Sequence, residues 1–245
     1  NGFDPSKMKS LKRDPKSVIG YIEMHIEQGP VLEAENLSVG VVTAINGATR
    51  WALTVKGEPG HAGTVPMNMR HDALTAASEM ALAIERIGRS HETVVATVGR
   101  FQAYPGAVNV VPGETRFSLD TRAPDDGLRE KIVAMIEAEC KAIAARRDVS
   151  LRIDPLSSAK ATPMASHMIA GLSEAISRRQ VTPRLLPSGA GHDAMAMAEL
   201  CPAGMLFVRC KGGISHSPLE SMTEADCDVA LEILLDFVRH YKIET

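Results

Sequence analysis

Between residues 50 and 154 the hydrophobic period switches back and forth in an order that few folds can accommodate. Residues 50–56 (RWALTVK) alternate as a half-buried strand does. Residues 72–87 then place Leu74, Ala77, Ala81 and Ile84 at helical spacing. Residues 93–101 and 114–122 read as two strands joined by a loop that holds Gly106 and Pro112. A long amphipathic helix is expected over 126–146 and a last strand over 149–154. The resulting order, β-α-β-β-α-β, is the split βαβ arrangement: a four-stranded antiparallel sheet with two helices on one face. A unit of about 110 residues is an ordinary domain size.

The flanks have another character. Residues 18–27 and 39–45 are strand-like, 205–210 form a short buried strand, and 166–178, 192–199 and 223–240 are helical by pattern. They look like pieces of an α/β domain into which the middle unit is inserted. The expected boundaries are 1–47, 48–158 and 159–245. No internal repeat and no low-complexity segment interrupts them.

Composition narrows the function classes. The chain is 44% hydrophobic and 23% charged, with a formal net charge of −3. That is a soluble globular composition, not a disordered one. A slightly acidic balance argues against a broad nucleic-acid surface. No apolar run approaches the roughly 18 residues of a membrane span, and no signal peptide opens the chain. Cys140, Cys201, Cys210 and Cys227 form no CxxC pair, so reduced thiols in a cytoplasmic protein are expected.

Four segments carry chemistry-bearing residues. In residues 20–30 (GYIEMHIEQGP), Glu23, His25 and Glu27 would share one strand face among Ile22, Met24 and Ile26. Such groups are costly there unless paired or metal-bound, although an exposed edge-strand face is the alternative. Gly29 and Pro30 would stop the strand, leaving His25 and Gln28 near its end. His216 lies in a Gly-rich loop (GGISHSPLE) between a strand and a helix, where α/β sheets bind ligands; a plain loop histidine is the competing reading. His61 occupies the centre of GEPGHAGT. Asn109 is in GAVNVVPG, where it could equally be a turn residue. Arg122 ends a strand, where it offers a two-pronged donor for a carboxylate or else a surface ion pair with Asp120, Asp125 or Asp126. In the loop PSGAGHDA, backbone N–H groups could hold an anion or a carbonyl oxygen. His192 is a candidate ligand there, although Asp193 or His192 reads rather as a structural residue near a helix start.

Together the stretches GYIEMHIEQGPVLE, GEPGHAGTVPM, PGAVNVVPGE, SLDTR, SGAGHDA and GISHSPLE resemble the hydantoinase/carbamoylase branch of the M20 amidohydrolases. That branch includes N-carbamoyl-L-amino-acid hydrolases, allantoate amidohydrolases and β-ureidopropionases of the microbial type. The resemblance implies an α/β fold: a partial two-metal hydrolase catalytic domain with an inserted ferredoxin-like dimerisation domain. It implies that His25 ligates one divalent metal and His216 the other, zinc or manganese first, cobalt or nickel as alternatives. His61 would polarise the scissile carbonyl, often from the partner subunit of a homodimer. Gln28, Asn109 and Arg122 would hold the substrate, with Arg122 on its carboxylate. Arg50 is a looser match to a further anion contact, and Gly189 matches a backbone contact. The implied reaction hydrolyses the C–N bond of N-carbamoyl amino acids or of ureido acids such as allantoate, releasing ammonia.

In that branch a His-x-Asp motif, a bridging Asp and a pair of adjacent acids precede the segment matching Gly20. Residues 1–19 contain neither a His nor a Glu-Glu pair. The expectation is a carboxyl-terminal fragment without meaningful turnover by itself. Two other readings compete: a non-catalytic dimerisation or binding module, and a peptidase or aminoacylase of the same superfamily.

Overall fold

The computed structural model describes residues 4–242, and the chain forms two compact units: Asn1–Ile45 with Thr162–Thr245, and Asn46–Ala161. The first unit begins with β1 (Tyr21–Ile26), α1 (Val31–Ala34) and β2 (Val39–Ile45). The second contains β3 (Gly47–Lys56), β4 (Gly60–His61), α2 (Ala73–Arg89), β5 (Val95–Thr97), β6 (Phe101–Tyr104), β7 (Val110–Val111), β8 (Glu114–Ala123), α3 (Asp126–Arg146) and β9 (Ser150–Ala159). The chain then returns to the first unit with β10 (Thr162–Pro163), α4 (Ser166–Ser177), β11 (Leu185–Ser188), α5 (Ala194–Met197), β12 (Ala203–Val208) and α6 (Glu224–His240).

In the second unit the main sheet runs β5-β8-β3-β9, with β6 also paired to β8, and all pairings are antiparallel. Alternation along β3 and β8 decides its faces. Trp51, Leu53, Val55, Phe117 and Leu119 pack with Ala76, Ala77, Met80 and Ile84 of α2 and with Ile132, Ile136 and Ile143 of α3. The intervening residues Arg50, Thr54, Ser118, Asp120 and Arg122 therefore fall on the opposite, polar face. Asp72 caps α2 by accepting from the amides of Leu74 and Thr75, and Asp125 caps α3 through Leu128. The last strand runs to Ala159, beyond the expected 149–154. Its extra residues, PLSSA, have no apolar alternation and are held by pairing with β3, in a register that bulges between Arg50 and Trp51.

Gly57, which opens the loop to His61, explains one glycine of that motif. Its amide donates to the Gly113 carbonyl, and a Cβ there would lie 1.8 Å from the His71 carbonyl oxygen. Backbone cannot yield as a flexible side chain does. Gly57→Ala should therefore destabilise the chain by about 1–3 kcal/mol, the usual range for overpacking, read as a lower urea midpoint. An unchanged midpoint would show that the loop tolerates a side chain there.

In the first unit β12 lies between β1 and β2, while β10 and β11 both pair with β2. β1 and β12 are parallel, with His25 opposite Phe207. Both faces of this sheet are covered. Val39, Val41, Leu206 and Val208 pack on Met168, Leu172, Ile233 and Phe237 of α4 and α6. Val42, Met205 and Phe207 pack on Leu32, Met164 and Ala194. Every residue of β12 is buried, which is why that strand reads as a continuous apolar run rather than an alternation. Its end is tied to the start of α6. Arg209 grips the buried Asp226 with two hydrogen bonds of 3.0 and 2.7 Å, and Thr223 adds a third. The helix expected over 192–199 shortens to the single turn Ala194–Met197, which has no side-chain cap. Among the described residues, no helix is long and apolar enough to cross a membrane.

Candidate functional site

Glu23 and His25 are two residues apart on β1 and so share one face. The amide of Ala194 donates to Glu23 Oε2 at 2.8 Å, which draws the loop after β11 against that face. His25 Nδ1 lies 2.8 Å from the Ile26 carbonyl. A carbonyl only accepts, so Nδ1 carries a proton, and in the neutral tautomer the lone pair is on Nε2.

His192 completes the group. Its side chain is 1% exposed, its Nδ1 is 3.6 Å from Glu23 Oε1, and its ring centroid is 4.6 Å from that of His25. Its Nε2 is 2.6 Å from Ser188 Oγ, whereas its Nδ1 is buried with no hydrogen-bond partner. Burial, followed by the neighbouring His25, holds its pKa below the ordinary histidine value, which favours the neutral ring. One ligand atom from each of Glu23, His25 and His192 lies within 4.8 Å of the others, the one such cluster among the described residues. One carboxylate and two imidazoles, one of them with an orphaned buried nitrogen, form a donor set that fits a divalent transition metal.

Two expectations need correction here. Glu27, expected beside Glu23 and His25, is not part of their cluster, because its carboxylate is engaged elsewhere. The strand ends at Ile26, Gln28 takes a left-handed backbone (φ 56°), and the Glu27 carboxylate accepts from the amides of Val31 and Leu32 at 2.8 and 2.9 Å. Burial raises its pKa, and those two amides only partly offset the shift. His192, for which the sequence favours a structural role near a helix start over that of a ligand, is in the cluster. The local signal, a His four residues after a Ser, is weak, because its partners on β1 are nearly 170 residues away in sequence (Ala194 and Glu23 differ by 171).

His216 is exposed and lies outside this cluster, with a left-handed backbone (φ 55°) and its amide donating to Glu220 Oε2. Its loop nevertheless packs on the segment that ends β1: a Cβ on Gly213 would lie 2.7 Å from the Gly29 carbonyl carbon. Since β1 and β12 are parallel, His25 and this loop belong to the same, carboxyl-terminal end of the sheet. Gln28 is two residues beyond β1. Gly189 is exposed in the turn between Ser188 and His192, where Ser188 Oγ accepts from the Ala190 amide.

The second unit holds the other four residues in two groups. His61 and Asn109 share the small β4–β7 ribbon: His61 faces Val110, and the Ala62 amide donates to the Asn109 carbonyl. His61 Nδ1 accepts from the Gly63 amide at 3.1 Å, so the neutral ring carries its proton on Nε2, as a donor. Arg50 and Arg122 meet on Asp120. Arg122 donates from Nε and Nη2 at 2.8 and 2.9 Å, and Arg50 from Nε at 2.8 Å. The Arg122 hydrogen bond, aided by Arg50, holds the Asp120 carboxyl below its ordinary pKa despite partial burial. The ion pair weighed for Arg122 is thus present.

The peptidase family M20/M25/M40 matches residues 7–240. The chain belongs to this family. Among its M20 relatives, an N-carbamoyl-L-amino acid amidohydrolase of Geobacillus stearothermophilus is 39% identical over 234 residues, 95% of this chain and 57% of that protein. Allantoate deiminase 2 of Glycine max is 40% identical over 258 residues, 94% of this chain and 53% of the relative. A solved hydantoinase/carbamoylase-family amidase from Burkholderia multivorans superposes with a TM-score of 0.86 at 36% identity, covering 89% of this chain and 53% of that one. This M20 chain therefore spans about half the length of the relatives it matches.

Proposed function

We propose that the protein to which this chain belongs is a metal-dependent amidohydrolase of N-carbamoyl amino acids or related ureido acids such as allantoate. The observation that carries the reading is the cluster of Glu23, His25 and His192, with its unpartnered, buried imidazole nitrogen. The names of the relatives supply the substrate class. In this reading the cluster holds one divalent ion, zinc or manganese, and His216 belongs to a second. Such ions supply Lewis acidity toward the carbonyl and lower the pKa of water.

The chain's own residues do the rest. The Nε2–H of His61 donates to the oxygen on which negative charge develops. Arg122 and Arg50 bind the substrate carboxylate, and Gln28, Asn109 and the Gly189 backbone orient the ureido group. Water adds to the ureido carbon and its C–N bond breaks. Ammonia leaves, the carbamate left behind loses carbon dioxide as its remaining C–N bond breaks, and the free amine is released, which for a carbamoyl amino acid is the amino acid. The second unit is the homodimer interface in this reading, and the protein works in the cytoplasm.

The test measures ammonia release from N-carbamoyl amino acids and allantoate, before chelation, after it, and with metal added back. The chain alone is compared with the chain joined behind the amino-terminal part of the Geobacillus relative. Release by the joined protein, abolished by chelation and restored by metal, is the expected result. No release on any ureido substrate by the metal-loaded, folded protein would overturn the reading.

A further inference from the structure

We propose that Asp120 is a positioning residue for substrate recognition, holding Arg50 and Arg122 as one monoanion receptor. The proposal rests on the reading above, in which those two arginines meet the substrate carboxylate. Asp120 of β8 stands directly opposite Arg50 of β3, and Arg122 follows two residues later on the same face of the strand. Three guanidinium N–H groups converge on its two oxygens, two from Arg122 and one from Arg50.

The geometry divides the labour. Both arginines spend their Nε edge on Asp120. Among the described residues, no hydrogen bond engages the terminal nitrogens of Arg50. The trio carries a net charge of +1, which matches one carboxylate. Without Asp120, two like charges would share one face of neighbouring strands. They would repel, and each long side chain would regain its rotamer freedom. A stabilising role is a weak explanation for the cluster, because Arg50 is 45% exposed and the side chains of Asp120 and Arg122 keep 27% and 31% of their surface in water, which screens the pairing. The cluster lies on the sheet face opposite the packed helices, so it supports no core. What it does provide is a fixed orientation for charged donors, which is what bidentate carboxylate recognition needs.

The test compares an N-carbamoyl amino acid with its carboxamide as substrates of the active protein that contains this chain. The variants are Asp120→Asn and Arg122→Gln, with unfolding followed by circular dichroism. Wild type should prefer the carboxylate, and Arg122→Gln should lose that preference. Asp120→Asn should lose about 10–100-fold in kcat/KM on the carboxylate, mostly through KM, with the carboxamide within about twofold of wild type. Equal losses on both substrates would mark a folding effect and overturn the proposal. So would a preference retained by Asp120→Asn where Arg122→Gln has lost it. A preference that survives Arg122→Gln would instead overturn the underlying assignment of the arginines.

Discussion

Replacing His192 with alanine should lower the zinc affinity of this chain by more than about 100-fold, beyond the 10–100-fold that outer-shell partners contribute. The buried Nδ1 of His192 has no partner, yet it lies 3.6 Å from Glu23 Oε1 and beside the His25 ring. A buried nitrogen without a hydrogen bond is a cost unless something else satisfies it, and a divalent ion does so. Competition with a chromophoric chelator measures the affinity, and circular dichroism confirms that the variant is folded. His216→Ala is the control, because His216 lies outside the cluster and the first ion should bind to that variant unchanged. Wild-type zinc affinity in folded His192→Ala would remove the metal centre from this side of β1.

Arg209→Ala should produce the largest loss of stability, about 3 kcal/mol at neutral pH, the lower end for breaking a buried ion pair. Asp226 is only 2% exposed, whereas Arg209 keeps part of its side chain in water, which moderates the loss. Burial by itself would raise the Asp226 carboxyl. The hydrogen bonds from Arg209, Thr223 and Ser38 outweigh it and hold the pKa below the ordinary value. The sign of the pH dependence follows. A carboxyl with a lowered folded pKa contributes stability above its unfolded value of about 3.9, and that contribution fades as pH falls toward the folded value. In Arg209→Ala only burial and two weaker donors remain, so the deficit is greatest at neutral pH and shrinks below about pH 4. Urea unfolding at pH 7 and pH 3.5 measures both. A deficit of the same size at the two values would show that lost packing, not the charge pair, is responsible.

The elements that could be read directly are those whose burial is one-sided or complete. β3, α2 and β8 bury one face each, so their periods of two and 3.6 stand out in the residues themselves. β12 is buried on both sides and reads as an unbroken apolar run. β11 was not legible. Its four residues, LLPS, include Pro187 and resemble a loop, and only parallel pairing with β2 makes them a strand. The motif histidines stood out because imidazoles in Gly-rich loops or among apolar strand residues are chemically unusual. His25 and His61 could be picked out that way, although not the nitrogen each would present.

Local pattern determined the longer strands and helices and which side chains could do chemistry. Those features follow from steric preference and from the period with which side chains meet water. Three things were decided only by the tertiary fold: the meeting of His192 with Glu23 and His25, the engagement of the Glu27 carboxylate by the first amides of α1, and the joining of Arg50 to Arg122 through Asp120. Each depends on a sheet register or on a backbone dihedral, and neither is written in the spacing of residues along one segment.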